Sequence, residues 1–484
     1  MAKVSRPSPA PPVVSSSRGS GKKRSWRQLQ HTYFTQRYPR LDALEVVHPH
    51  PCGIDLGGKH SHFVALEIGP ETEVREFGMT TRHICEIVEY LLAHGVTSVA
   101  MEATGVYWVP LYDLLEHVGI EVFLVNPSHA KNVPGRRKDD KLDCRWLLKL
   151  HKFGLLSASF RPAEDIRPLR SFLRHRRTLV QEAADYIRRL HKVLDMMNVR
   201  IHKAVTDLGG QTGMRILRAI VGGEYDPVVL ARLRDPRCAC SEEELREELM
   251  GYYQPYLVKQ LASLLRMYDE YTKEIAQVDT EIEHLLQALT AVPPDVLSEQ
   301  LAADTHALPK GKHALSFNGS AYVEVITGRD PSRLPGLGPQ MTVALLGELG
   351  KDMSPWQTVK HFGSYLTLAP VEKISGGKLI SSRTHPATHP AAVIFRQAAA
   401  VVVHQGHSAL AAFYHKVARR RGKAKALTAL AYKIARMYYY LMLNGWAYVE
   451  TGEQQYEENY RQHELAVLKK RAKRLGYEIT PVAA

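Results

Sequence analysis

Four acidic residues stand where chemistry would use them. Asp55 lies mid-strand in "GIDLGG", Glu102 near the end of "SVAMEATG", and Asp140 and Asp143 in the basic run "GRRKDDKLDCRWL". A spacing of three places Asp140 and Asp143 on one helical face, and Asp139, four residues before Asp143, shares that face and remains an alternative ligand. Two carboxylates about 4 Å apart repel by roughly 4 kcal/mol at an effective dielectric near 20, so a cluster of four needs a counter-charge. Mg2+ suits such a set, because it takes oxygen ligands and keeps positions open for phosphate oxygens. Two such ions stabilise both the attacking and the leaving oxygen of a phosphoryl displacement. Arg136, Arg137 and Lys138 beside the aspartates would then hold a nucleic-acid backbone. Singly, Asp140 reads as an N-cap, Asp143 as a first-turn dipole partner and Glu102 as a surface acid. Their joint placement at the ends of three elements favours a metal site.

A second set of residues lies far along the chain. "ISGGK" puts Ser375 before two glycines and Lys378, an arrangement that exposes a hydroxyl beside a cation; spacing alone reads equally as a polar hairpin turn. In "LPGLGP", Gly336 and Gly338 would let backbone N–H groups approach a phosphate, as in a helix-hairpin-helix. "RRRGKAKAL" brings Arg419, Arg420, Arg421, Lys423 and Lys425 into what reads as a phosphate-contacting helix start, with a solvated charged face as the plain alternative.

The elements that must position these residues follow from periodicity. "CGIDLGG", "SHFVALEIG" and "TEVREFGM" read as a meander of three strands. "RHICEIVEYLLAHG" reads as a helix, "TSVAMEATG" as a strand, "YWVPLYDLLEHVG" as a helix and "EVFLVNP" as a strand. A meander feeding a β-α-β-α segment is the order of a ribonuclease-H-like (RuvC-like) α/β domain. From Leu169 onward the apolar residues follow a heptad, with Arg176 its one polar intrusion, and a second stripe runs from Leu257 to Leu289. These predict a long coiled-coil helical arm whose helices pair with each other or with another subunit. Residues 207–240 between them read as irregular. The expected division is 1–45, a disordered basic tail; 46–160, the RuvC-like domain; 161–325, the coiled-coil region; 326–450, a mainly helical carboxy-terminal domain with the helix-hairpin-helix-like segment; and 451–484, a polar tail or exposed helix.

Composition narrows the class. The 484 residues carry a formal net charge of +14, but the first forty hold nine Lys or Arg and no acid, which leaves a mild excess of +5 for the rest. Five cysteines without a C-x-x-C pair support neither a disulfide framework nor a zinc ribbon. No stretch reads as a signal peptide or a membrane span, so a cytoplasmic protein with no membrane partner is expected.

Taken together these residues resemble the DEDD transposases of bacterial insertion sequences, specifically insertion-sequence family 110. The resemblance runs from about residue 50 to 446. It rests on Asp55, the "MEATG" strand with Glu102, Asn126 with Pro127, "DKLD" at Asp140 to Asp143, "PGLGP", "LAP" at Leu368 to Pro370, "SGGK" and "RGKAKA". It implies that Ser375 attacks a DNA phosphodiester to form a transient 5′-phosphoserine link, and that the four acids bind magnesium. It also implies a composite site shared between subunits of a homo-oligomer, and a structured guide RNA that pairs with DNA. Ser381 and Ser382 are neighbouring hydroxyls. After the serine the chain reads "SSRTHPATHPAAVIFRQ", where the family usually has a basic, glycine-containing stretch. The competing readings are a ribonuclease-H-like nuclease or junction resolvase using water, an actin-like kinase suggested by "IDLGG", and a non-enzymatic DNA-binding protein.

Overall fold

The stretch "PCGIDL" alternates apolar residues with small or polar ones and forms β1 (Pro51–Leu56), the central strand of a five-stranded sheet of order β3-β2-β1-β4-β5. The computed structural model describes residues 45–57, 61–103, 105–126, 140–303, 312–384, 389–406 and 408–478. The chain divides between Phe160 and Arg161 into two units. The basic tail expected over 1–45 lies outside the described residues, apart from its last position.

In the first unit β1, β2 (His62–Ile68) and β3 (Glu71–Phe77) form the antiparallel meander, and β4 (Ser98–Glu102) and β5 (Glu121–Val125) extend it in parallel. Parallel neighbours need crossovers, which are α1 (Thr81–Ala93) and α2 (Trp108–His117). Ile54, Val64, Val99 and Met101 on one face of the sheet bury with Ile87 and Leu91 of α1 and Leu111 and Leu115 of α2. The opposite face is covered by α3 (Asp140–Lys152), whose Cys144 and Leu148 pack on Ala65. This is a mixed α/β domain of the expected element order.

The second unit is built on α4 (Arg167–Met196) and α5 (Pro255–Thr290). Arg176 pairs with Asp279 and Tyr186 meets Tyr271, so the sequence positions rise along α4 as they fall along α5 and the helices run antiparallel. Their apolar stripes close on each other within one chain. The same core takes in α6 (Gly319–Thr327), α7 (Pro339–Leu349) and the helix over Gln211–Val221. That last helix corrects the irregular reading of 207–240. Its signal was present in Met214, Leu217 and Ile220, which recur at helical spacing and are buried.

Beyond α7 come α8 (Val359–Tyr365), the hairpin β6 (Val371–Ser375) and β7 (Lys378–Arg383), α9 (Pro390–Gln405), α10 (Ala409–Arg421) and α11 (Lys423–Asn444). The final stretch, expected as a polar tail or exposed helix, forms α12 (Trp446–Arg474), as its Glu, Gln, Lys, Arg and Ala content favours.

The polar intrusion in the heptad has a partner. Arg176 and Asp279 are each 3% exposed. Arg176 Nε donates to Asp279 Oδ1, and its Nη2 donates to Oδ2 at 3.1 Å and to the His313 carbonyl at 2.9 Å. A second pair of contacts ties α4 to α7. Arg170 donates to buried Glu348 at 3.0 Å and Arg174 donates twice at 2.8 Å. Burial pushes the Glu348 carboxyl up, but the Arg174 hydrogen bond and the charges of Arg170 and Arg174 outweigh it and leave the group below its ordinary range.

Removing one member of the first pair strands the other in the core. Arg176→Leu is expected to cost about 3–5 kcal/mol of unfolding free energy, whereas Arg176→Leu with Asp279→Leu should recover most of it. Denaturant unfolding of the two single variants and the double variant provides the cycle; additive losses would show that the pair is not coupled.

Candidate active site

Three of the predicted acids are brought to one face of the sheet. Ile54 of β1 stands beside Met101 of β4 in parallel register, so the next step along both strands sets Asp55 beside Glu102 on strands about 4.8 Å apart. Alternation puts Gly53 and Asp55 opposite to Ile54, and Ser98, Ala100 and Glu102 opposite to Val99 and Met101. The Gly53 face is the one beneath α3. A Cβ on Gly53 would lie 2.3 Å from the Cys144 carbonyl oxygen and 2.4 Å from the Leu148 nitrogen. Helix and strand therefore meet backbone to backbone.

The direction of α3 completes the convergence. Its far end reaches the start of β4, where His151 Nε2 and Ser98 Oγ are 2.9 Å apart. Its first turn accordingly stands over the strand ends that carry Asp55 and Glu102. Burial raises the Cys144 thiol to about 11, and the Asp55 charge adds to that rise, which places the Asp55 carboxylate within electrostatic reach of the residue after Asp143. Glu102 is 8% exposed and Asp143 is half-buried.

Asp140 opens α3. Its side chain, together with Arg136, Arg137, Lys138 and Asp139, lies outside the described residues. Asn126 follows β5, and Pro127 is also outside. Among the described residues, no three His, Cys, Asp or Glu side chains are close enough to hold a metal ion by themselves. Asp55, Glu102 and Asp143 nevertheless supply carboxylate oxygens from one face and the helix above it, the donor chemistry that a hard divalent cation takes.

Ser375 closes β6. Gly376 at φ +55° and Gly377 at φ +73° form the two-residue turn, and Ser375 pairs with Lys378 across it. Partners in an antiparallel ladder share a face, so Ser375 and Lys378 lie with Lys373 and Ser381, and with Val371 and Arg383. Ile374 and Leu379 occupy the other face with Glu372 and Ser382. Ser381 thus shares the face of Ser375 and Ser382 does not. Lys373 and Arg383 escaped the sequence reading. The two-glycine turn between alternating runs was the signal that could have found them.

The remaining predicted residues divide. A Cβ on Gly336 (φ +78°) would meet the Ala398 carbonyl oxygen at 2.2 Å, so this glycine admits the backbone of α9 rather than a phosphate. Gly338 begins α7 with open space around its Cα. Arg419, Arg420 and Arg421 end α10 instead of starting a helix; Lys423 and Lys425 start α11 after Gly422 at φ +87°. All five are exposed. No described helix is long and apolar enough to cross a membrane.

Residues 52–199 match a family model for DEDD transposases of the IS110 type, described as a transposase. Residues 332–415 match a second, described as a transposase of the IS116/IS110/IS902 family. No curated protein matches the chain. The first match spans the acids and α3, and the second spans Gly336 to Ser375 and the hairpin.

Two outcomes follow from the packing of α3. Gly53→Ala forces a methyl group into the helix backbone and should destabilise the first unit by about 1–3 kcal/mol in denaturant unfolding; unchanged stability would mean α3 can move away freely. His151 is held neutral, since burial, with the His48 charge adding to it, pushes its pKa down to about 4 from 6.5. Because the unfolded chain binds this proton first, its contribution is complete above pH 6.5 and declines as pH falls towards 4. Urea unfolding measured across that window should show a shallower pH slope for His151→Gln than for the parent chain.

Proposed function

The chain belongs to the IS110-family DEDD transposases, and from that premise we propose that it cuts and rejoins the DNA strands of an insertion sequence with Ser375 as nucleophile in a magnesium-dependent reaction. It is a DNA transposase, and DNA is its partner. The observation that most supports the serine reading is the shared hairpin face, which sets an exposed hydroxyl among Lys373, Lys378 and Arg383. Lys373 and Lys378 flanking the hydroxyl, with Arg383 farther along the same face, favour approach of a phosphodiester and offset the negative charge that grows on its oxygens in the transition state. In the proposed step the Ser375 Oγ–P bond forms as the P–O3′ bond breaks. The serine proton passes through a base to the departing O3′, which leaves as a 3′-hydroxyl, and the 5′-phosphate stays on the protein. Rejoining reverses the exchange with the 3′-hydroxyl of another strand.

Asp55, Glu102, Asp140 and Asp143 are the proposed metal ligands. A magnesium ion bound there would polarise phosphate oxygens as a Lewis acid. These carboxylates would hold the cation at the ends of β1 and β4, and the close contact at Gly53 keeps the first turn of α3 near those strand ends. Arg136, Arg137, Lys138, Gly338, Arg419, Arg420, Arg421, Lys423 and Lys425 are proposed contacts to the nucleic-acid backbone. We assign to the same reading a structured guide RNA, a homo-oligomeric assembly and a cytoplasmic site of action.

Incubation with element-end DNA, flanking RNA and Mg2+ tests this directly. Ser375→Ala should abolish the covalent protein-DNA adduct and lower strand joining by roughly 10³-fold or more, as loss of a nucleophile does. Asp143→Asn and Asp140→Asn, or chelation of the metal, should do the same, and Asp139→Asn should be milder. Cleavage that persists in Ser375→Ala without an adduct would assign the acids to a water-using nuclease. Transfer of the adduct to Ser381 would move the nucleophile two pairs along the same face.

A further inference from the structure

The second unit contains a cavity of about 830 Å³, of whose lining the preceding roles use only Gly338 at its border. One wall is apolar, made by Leu173 and Val180 of α4, Met341 of α7 and Ile394 of α9. The other is cationic: four Lys or Arg side chains and a single carboxylate, Glu348, line the space. The excess is not an artefact of pairing. Arg176 is neutralised by Asp279, and Glu348 by Arg170 and Arg174. Arg177 is exposed and makes no ion pair among the described residues, whereas Lys312 pairs loosely with Asp207 at 3.9 Å with its Nζ 5.0 Å from the centre of the Tyr268 ring, so Arg177 carries most of the excess.

The start of α7 borders the same space through Gly338, Pro339 and Gln340. No side chain caps this helix, and the first N–H engaged in the helix is that of Thr342, bonded to the Gly338 carbonyl. The N–H groups of Gln340 and Met341 therefore add donors to the cationic wall.

An apolar wall facing an acid-poor, donor-rich wall suits an anion with a flat apolar body. The volume admits a group of small-ligand size and excludes a duplex. We propose that the cavity takes one unstacked nucleotide of a single-stranded nucleic acid. Its base lies on Leu173, Val180, Met341 and Ile394, and its phosphate between Arg177, Lys312 and the start of α7. The inference rests on the transposase reading, in which strands are opened and handled singly.

Photo-crosslinking of the full chain tests it. Short single strands carrying 5-iodouracil in DNA, or 4-thiouracil in RNA, are irradiated with the protein and the attachment sites read by mass spectrometry. Attachment is expected at Met341 or Ile394, and the more efficient strand identifies the source of the nucleotide. Ala344→Trp, which fills the cavity, should reduce that attachment at least tenfold. Arg177→Ala with Lys312→Ala should make the salt dependence of strand binding shallower by about 1.4 in log–log slope, the effect of two lost phosphate contacts. Should Ala344→Trp lower the melting temperature, Val393→Trp at the exposed lip provides the same block. Attachment only elsewhere, with strand affinity intact, overturns the cavity and leaves the transposase reading in place. Absence of any strand binding overturns both.

Discussion

At Gly53 the backbone of α3 lies on the backbone of β1 with no room for a methyl group, the Cys144 carbonyl oxygen and the Leu148 nitrogen both falling within 2.4 Å of where a Cβ would be. This contact sets the height of the helix above the sheet. It also sets the distance from Asp55, two residues along β1, to the first turn of α3. A side chain at position 53 would lift the helix, and with it the first turn that carries Asp143. The face around it is kept small for the same reason, with Ala65 on β2 and Ala100 on β4 beside the glycine. The large side chains Ile54, Leu66 and Met101 lie on the face that takes α1 and α2, while Phe63 and Val74 flank the small residues beneath α3. One layer gives burial, and the other gives close approach.

In the second unit acids and arginines are arranged to cancel inside and accumulate outside. Asp279 and Glu348 are the buried carboxylates that meet arginines of α4, and each receives hydrogen bonds on both oxygens. Such pairs contribute little net stability against apolar replacements, because desolvation offsets most of the attraction. What they add is registry. An antiparallel pair of 30- and 36-residue helices with leucine stripes can slide by a heptad at small cost, and Arg176 opposite Asp279 penalises every register but one.

Much of this was legible in the residues. Strand and helix order in the first unit follows from alternation and glycine stops, and the face shared by Asp55 and Glu102 can be counted off "GIDL" and "AME". The partner of Arg176 could not be read, because it lies 103 positions away on a helix whose apolar stripe gives no hint of a buried acid. Gly336 misled for a different reason. A glycine that admits a phosphate and one that admits a neighbouring helix look alike in sequence, and only the position of Ala398 separates them. The hairpin was half visible: two glycines announced the turn, but the bulge between Lys373 and Ile374 shifts the pairing, so the cations that accompany Ser375 depend on a register the sequence does not state.

The basic segment around Gly422 shows how a local conflict can carry functional meaning. Arg419, Arg420 and Arg421 end α10, where the helix dipole favours cations. Lys423 and Lys425 open α11, where the dipole disfavours them, and neither an acid nor a side-chain cap is present in that first turn. A sequence chosen for stability alone would place Asp, Glu, Ser or Thr there. Lysines at a helix start and arginines at the preceding helix end, brought together by a glycine at φ +87°, instead concentrate positive charge and unused N–H donors on one exposed corner. A bound anion would relieve that repulsion. In "GRRKDDKLDCRWL" of the first unit three carboxylates instead stand among five Lys or Arg, so that stretch holds both signs. In the proposed reading both basic segments go to the nucleic-acid backbone and the acids of the first are left to a metal.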